Sequence, residues 1–217
     1  FMVKNIEEYN AEVINEIITI AEIDKELTAD SAFEYFCDYL IKAEVIATAD
    51  RCFFERQGLR IDGYGGNPLE DDATLNLIVL DFCDDKEKII SINRTEVDLI
   101  YKRAVNFISK SLNSSFREEL DVSSGEFQLS DLIATTWDQI QKIKIIFVTN
   151  KSLNIRNKEF EPISVKDINS EFMVWDINRF YNLWLSGREK EDLNLELSEY
   201  GGCITALNAS SANNNFE

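Results

Sequence analysis

The chain contains no histidine. That absence removes Ser-His and Cys-His nucleophilic pairs, histidine-ligated zinc and imidazole acid–base chemistry. Any catalysis would fall to carboxylates, Lys, Tyr, Ser or Cys. Only 2 prolines and 8 glycines occur in 217 residues, too few for a loop-dominated or disordered chain. No apolar run approaches the roughly 18 residues of a membrane span, so no membrane partner is expected. The opening residues Phe1-Met-Val-Lys-Asn-Ile-Glu-Glu8 do not set a basic region before an apolar stretch, and no secretory leader is expected there. Cys37, Cys52, Cys83 and Cys203 form no C-x-x-C pair. That usage points to reduced thiols in a cytoplasm.

Positive charge is also scarce. There are 22 basic against 40 acidic residues, a formal net charge of −18. A protein that holds nucleic acid unaided carries basic patches that displace counterions from phosphates. Here the mean field repels a polyanion, so unaided nucleic-acid binding is disfavoured without being excluded, and local basic clusters or the rest of a full-length protein would have to supply it.

What is present is ordinary globular patterning, with 45% hydrophobic and 29% charged residues. Ile6 to Ala21 reads as an amphipathic helix, and Ala32 to Ala43 as a second after the cap-rich Thr28-Ala-Asp-Ser31. Cys52–Glu55 and Leu59–Tyr64 read as strands around a Gln57-Gly58 turn. Thr74 to Cys83 is nearly continuous in apolar character, as a strand covered on both faces requires. A helix capped at Thr95 buries Val97, Ile100, Tyr101, Ala104 and Ile108. Turn residues follow at Asn113-Ser-Ser115 and Ser123-Ser-Gly125. Ser130 caps a helix to about Gln141. Lys144–Thr149 and Phe172–Asp176 read as strands, the latter passing into a helix that Gly187 ends. Leu193–Leu197 and Cys203–Leu207 are expected as short strands. The expected fold is α/β, a mixed central sheet flanked by helices, in one domain over residues 1–207. A small, polar tail or truncated linker follows at 208–217.

Two acids stand near strand ends, Asp62 and Asp81. If their strands are neighbours, the carboxylates can meet at a sheet edge and hold Mg²⁺ or Mn²⁺, the cation that metal-assisted phosphodiester hydrolysis needs. Glu34 lies about 20° from Ile41 on an ideal helical wheel, on the shoulder of the apolar stripe, and could lean toward them. Structural alternatives stay open. Ser31-x-x-Glu34 is also a capping box, Asp62 precedes a glycine, and Asp81 could simply end a strand. Glu70-Asp-Asp72 reads as a solvated turn. Cys83, beside Asp84 and Asp85, is a poor nucleophile because neighbouring negative charge disfavours a thiolate.

Ala32-Phe-Glu34 with Leu40-Ile41, Leu59-Arg-Ile-Asp-Gly-Tyr64, Leu75-Asn-Leu-Ile-Val-Leu-Asp-Phe82, Ile146-Phe-Val-Thr-Asn150 and Val174-Trp-Asp-Ile177-x-Arg179 come in order over about Phe33 to Leu207. In that order and spacing the chain resembles the N-terminal region of abortive infection phage resistance proteins. The resemblance implies bacterial, cytoplasmic phage defence, a restriction-endonuclease-like core, and a C-terminal part beyond this chain. It also implies catalysis by Glu34, Asp62 and Asp81, with Asp62 and Asp81 on the metal. Cys83 stands where that nuclease pattern has a lysine, so Lys86, or else Lys88 or Lys102, would have to supply the amine. Two functions follow from the resemblance. One is metal-dependent cleavage of nucleic acid. The other is a degenerate nuclease fold kept for oligomerisation or partner binding.

Overall fold

A computed structural model of the chain describes residues 4–155 and 159–191, the last four by backbone alone. The chain divides into a unit running to Asn182 and a second beginning at Leu183. Of the second, the described part is the end of one helix. The expected strands at Leu193–Leu197 and Cys203–Leu207, and the tail, lie outside the described residues.

Helices α1 (Ile6–Asp24) and α2 (Thr28–Lys42) come first. Strands β1 (Asp50–Arg56), β2 (Leu59–Tyr64) and β3 (Thr74–Asp81) follow, then the short β4 (Ser91–Ile92). Helices α3 (Arg94–Ser111), α4 (Ser114–Glu118) and α5 (Gly125–Thr136) lead to β5 (Lys142–Thr149) and β6 (Ser152–Leu153). Strands β7 (Ser164–Val165) and β8 (Ile168–Trp175) precede α6 (Ile177–Glu191).

The main sheet has six strands in the order β1-β2-β3-β5-β8-β7. The meander β1-β2-β3 is antiparallel, whereas β3, β5 and β8 run parallel. A mixed α/β architecture is thus as the sequence predicts. The parallel pairs explain why β3 and β5 read as unbroken apolar runs, since helices cover both faces. On one face Leu75, Leu77 and Val79 of β3 pack in a cluster with Val97, Ile100, Ala104 and Phe107 of α3 and with Leu129 and Ile133 of α5. On the other, the rings of Phe36 (α2) and Phe180 (α6) stand 4.9 Å apart, and Phe180 meets Trp175 at 5.4 Å.

Several boundaries differ from the sequence reading for local reasons. The second helix starts at Thr28, so Ser31 lies within its first turn and the Ser31–Glu34 capping box does not form. The working capping boxes are Asn5 with Glu8 and Asn93 with Glu96, not a cap at Thr95. Ser124 caps α5, while Ser130 lies inside it, its hydroxyl accepting from that of Ser111. Asn113 caps the short α4 where a turn is read. Gly187 falls within α6. Its missing side chain does not by itself stop a helix; glycine marks a helix end where its backbone turns left-handed.

Candidate functional site at the strand ends

The only paired positions of β2 and β3 are Gly63 with Ile78 and Tyr64 with Leu77. Before Gly63 the link between the strands passes through side chains. The Leu80 N–H donates to Asp62 Oδ2 at 3.1 Å, and the Arg60 guanidinium donates to the Leu80 carbonyl. Together they replace the rungs that two backbone strands would share. Gly63 permits the close approach of α2 that goes with this fork. A Cβ there would strike the Phe33 ring and sit 2.6 Å from the Asp50 carbonyl oxygen.

Asp62 is 3% exposed, and its carboxylate has several further donors. Arg60 Nε lies 3.1 Å from Oδ2 and Arg51 Nη1 lies 3.2 Å from Oδ1. Arg51 also donates to the Asp62 carbonyl at 2.8 Å and, through Nε, to Asp30 of α2 at 2.7 Å. Its guanidinium lies 5.1 Å from the centre of the Phe33 ring. A buried carboxylate is tolerable only when such charged, directional donors replace its water.

Asp81 ends β3, opposite Thr149 of β5 in parallel register. Lys151, two residues past the end of β5, brings its Nζ to 2.7 Å from Asp81 Oδ2. The Thr149 hydroxyl donates to the Asp81 carbonyl at 2.7 Å. The Asn150 carboxamide clamps Cys83 by its backbone, accepting from its N–H at 2.8 Å and donating to its carbonyl at 2.7 Å. The chain leaving β3 is therefore held by the chain leaving β5.

The remaining expected site residues lie elsewhere. Glu34 is exposed in a groove between α1 and α2 with Glu16 and Asp38, and neither Asp62 nor Asp81 lines that groove. Partial burial, and then Glu26, Asp24, Asp38 and Asp30, raise its carboxyl pKa. Lys86 is exposed in the turn after β3 and makes no hydrogen bond or ion pair among the described residues. Lys88 faces Asp85 at 4.0 Å, and Lys102 lines a separate groove with Arg94 and Phe160. In the Glu70-Asp-Asp72 run, Glu70 ends a short 3-10 helix (Pro68–Glu70) and the two aspartates form a turn, with Asp72 paired to Lys142 at 2.8 Å. The structure thus joins Asp81 to Lys151, and Asp62 to Arg51 and Arg60. Arg51 and Lys151 lie outside every motif read from the sequence, and Arg60 and Asn150 lie inside two of them without their partner roles being read. The one available signal for Lys151 is its place just past a strand that lies parallel to the Asp81 strand.

As a metal site the donors do not fit in this arrangement. Both oxygens of Asp62 accept from cations, and Asp81 is paired with an ammonium. Among the described residues no group of three or more Cys, Asp or Glu side chains is arranged to hold a metal ion. No helix among them is long and apolar enough to cross a membrane.

No curated protein and no solved structure matches the chain. One family model, described as the abortive infection phage resistance protein N-terminal domain, matches residues 33–182. Those residues hold the whole six-stranded sheet, the Asp62 fork and the Asp81–Lys151 pair. The chain belongs to the abortive infection phage resistance family, whose N-terminal domain it carries.

Proposed function

We propose that this phage-defence domain is a restriction-endonuclease-like fold whose acids serve structure, and that it acts as a partner-binding or oligomerisation module. The observation that carries this reading is the saturation of Asp62 by two guanidinium groups and a backbone N–H. A hard divalent cation at Asp62 would have to displace both arginines, and it prefers oxygen ligands free of competing cations. The order of helix, three-strand meander, helical crossover and parallel strand supports the nuclease-like fold. The net charge of −18 supports a role other than gripping a polyanion. The reading implies a bacterial, cytoplasmic protein.

A second reading, Mg²⁺- or Mn²⁺-dependent cleavage of nucleic acid, is favoured by one specific observation. Lys151 supplies at Asp81 the amine that Cys83 lacks. One experiment separates the two. Plasmid DNA and RNA are incubated with the full-length protein and either metal, comparing the parent with Asp81→Asn. The module reading expects the same result from both proteins. Cleavage by the parent that disappears in a folded Asp81→Asn variant would establish the second reading instead.

A further inference from the structure

The groove between α1 and α2 has a volume of about 280 Å³ and is lined by Glu16, Ser31, Glu34, Tyr35, Asp38 and Tyr39, with Lys42 at one end. Its charge is unbalanced. Glu34 and Asp38 make no ion pair or hydrogen bond among the described residues, and Asp24, Glu26 and Asp30 add to the negative potential at Glu34. The walls are aromatic. The Tyr35 and Tyr39 rings stand 5.4 Å apart, tilted by 44°. The Tyr35 hydroxyl donates to Glu16 at 3.2 Å, leaving the ring in place as a wall. The Lys42 ammonium lies 5.8 Å over the Tyr39 ring, so this wall already faces one cation. An independent feature lies within the groove lining. Ser31 is 1% exposed, and its hydroxyl has no hydrogen-bond partner. A buried hydroxyl left unmatched is costly, and a donor arriving in the groove would satisfy it.

The carboxylates are not gathered tightly enough to chelate a metal ion. They are spread along a groove with ring faces between them. That geometry suits a flat, extended cation with several N–H donors, which describes the guanidinium of arginine. We infer that this groove docks a basic, arginine-bearing peptide segment of a partner protein. A guanidinium lies against the tyrosines, with Glu34 and Asp38 pairing its edges and the Ser31 oxygen accepting from it. The inference deepens the module reading by naming the kind of partner. It does not require that reading, because docking at α1–α2 is separate from any chemistry at Asp81.

The test is fluorescence anisotropy at low salt with a labelled oligo-arginine peptide and the 217-residue chain. The groove variant is Glu34→Gln with Asp38→Asn. The control, Glu118→Gln with Glu119→Gln, changes net charge equally on exposed positions of α4 and its end. The expected result is about a tenfold loss of affinity in the groove variant and little change in the control. Ser31→Ala should show a smaller loss. Equal loss in both double variants would reduce binding to net charge and overturn the inference, as would unaltered binding by the groove variant. Cleavage is read in neither arm, so failure here is distinct from failure of the module reading.

Discussion

Lys151 Nζ lies 2.7 Å from Asp81 Oδ2, although the two residues are 70 positions apart in the chain. The parallel register of β3 and β5 creates the pair by setting Asp81 opposite Thr149. Both side chains remain about one-fifth exposed, which limits the pair's energetic weight. Lys151→Ala should therefore lower stability by less than about 1 kcal/mol. Urea denaturation checks this, and a larger loss would mean that the pair is better shielded than its exposure indicates.

Asp62 should behave differently. Asp62→Asn removes the negative charge that Arg51 and Arg60 share, replaces one of their two acceptor oxygens with an NH2 group, and weakens the side-chain rungs to Leu80. Stranding buried charge costs about 3–5 kcal/mol in full burial. The arginines are themselves part-exposed, so about 2–3 kcal/mol is expected here. Thermal unfolding should show a drop in Tm of several degrees, and an unchanged Tm would remove the structural role assigned to this carboxylate.

Gly63→Ala tests the fork between β2 and β3. The added methyl meets the Phe33 ring and the Asp50 carbonyl oxygen, and the latter is backbone that cannot swing away. A loss of about 1–3 kcal/mol is expected from overpacking. Phe33→Leu in the same chain should recover only part of it, which a double-mutant cycle in urea would measure.

The thiols should separate by exposure. Burial pushes Cys37 and Cys52 up to about 12, and both are buried, whereas Cys83 is half-buried. Among the three described thiols, iodoacetamide at pH 8 should modify Cys83 before the others in the folded chain, and Cys37 and Cys52 only after unfolding. Peptide mass spectrometry reads each site directly. Rapid native labelling of Cys52 would show that the Gly125 end of α5 opens away from it.

Glu34 carries a pH signature. Its folded pKa is raised, chiefly by partial burial and then by neighbouring acids, so the fold disfavours its charged form. Stability from this group therefore increases as pH falls through the raised value and is lost above it. Glu34 is exposed, so solvent screens most of this effect, and Glu34→Gln should stabilise only slightly at pH 7, with the gain vanishing below the ordinary Glu pKa of about 4.3 and in high salt. Thermal melts over pH 4–8 check the sign.

Much of the frame was legible in the sequence. The apolar run from Leu75 to Leu80 marks the doubly covered strand, and Leu59–Tyr64 is read with its observed bounds. That the Asp62 and Asp81 strands are neighbours was a condition of the sequence reading, and the β2–β3 pairing meets it. The side-chain partners did not follow, because no local pattern encodes them. Arg51 reaches Asp62 through the β1–β2 pairing, and Lys151 reaches Asp81 only through a parallel register set by distant strands. Lys86 is near Asp81 in sequence, but its side chain is exposed and Lys151 makes the pair instead. Glu34 sits on the α1 side of α2 because Phe33, Phe36 and Cys37 take the inward positions.

The hydroxyl of Thr149 meets the carbonyl of Asp81 across 68 residues of chain, in the middle of the sheet. Contacts so remote in sequence cannot form before the intervening α3, α4 and α5 have been reeled in, and each such closure costs chain entropy in advance of any reward. The helical hairpin α1–α2 and the β1–β2 ribbon need no such wait. Refolding followed by pulse-labelled hydrogen exchange should therefore protect the two flanks early and the central β3–β5 seam late.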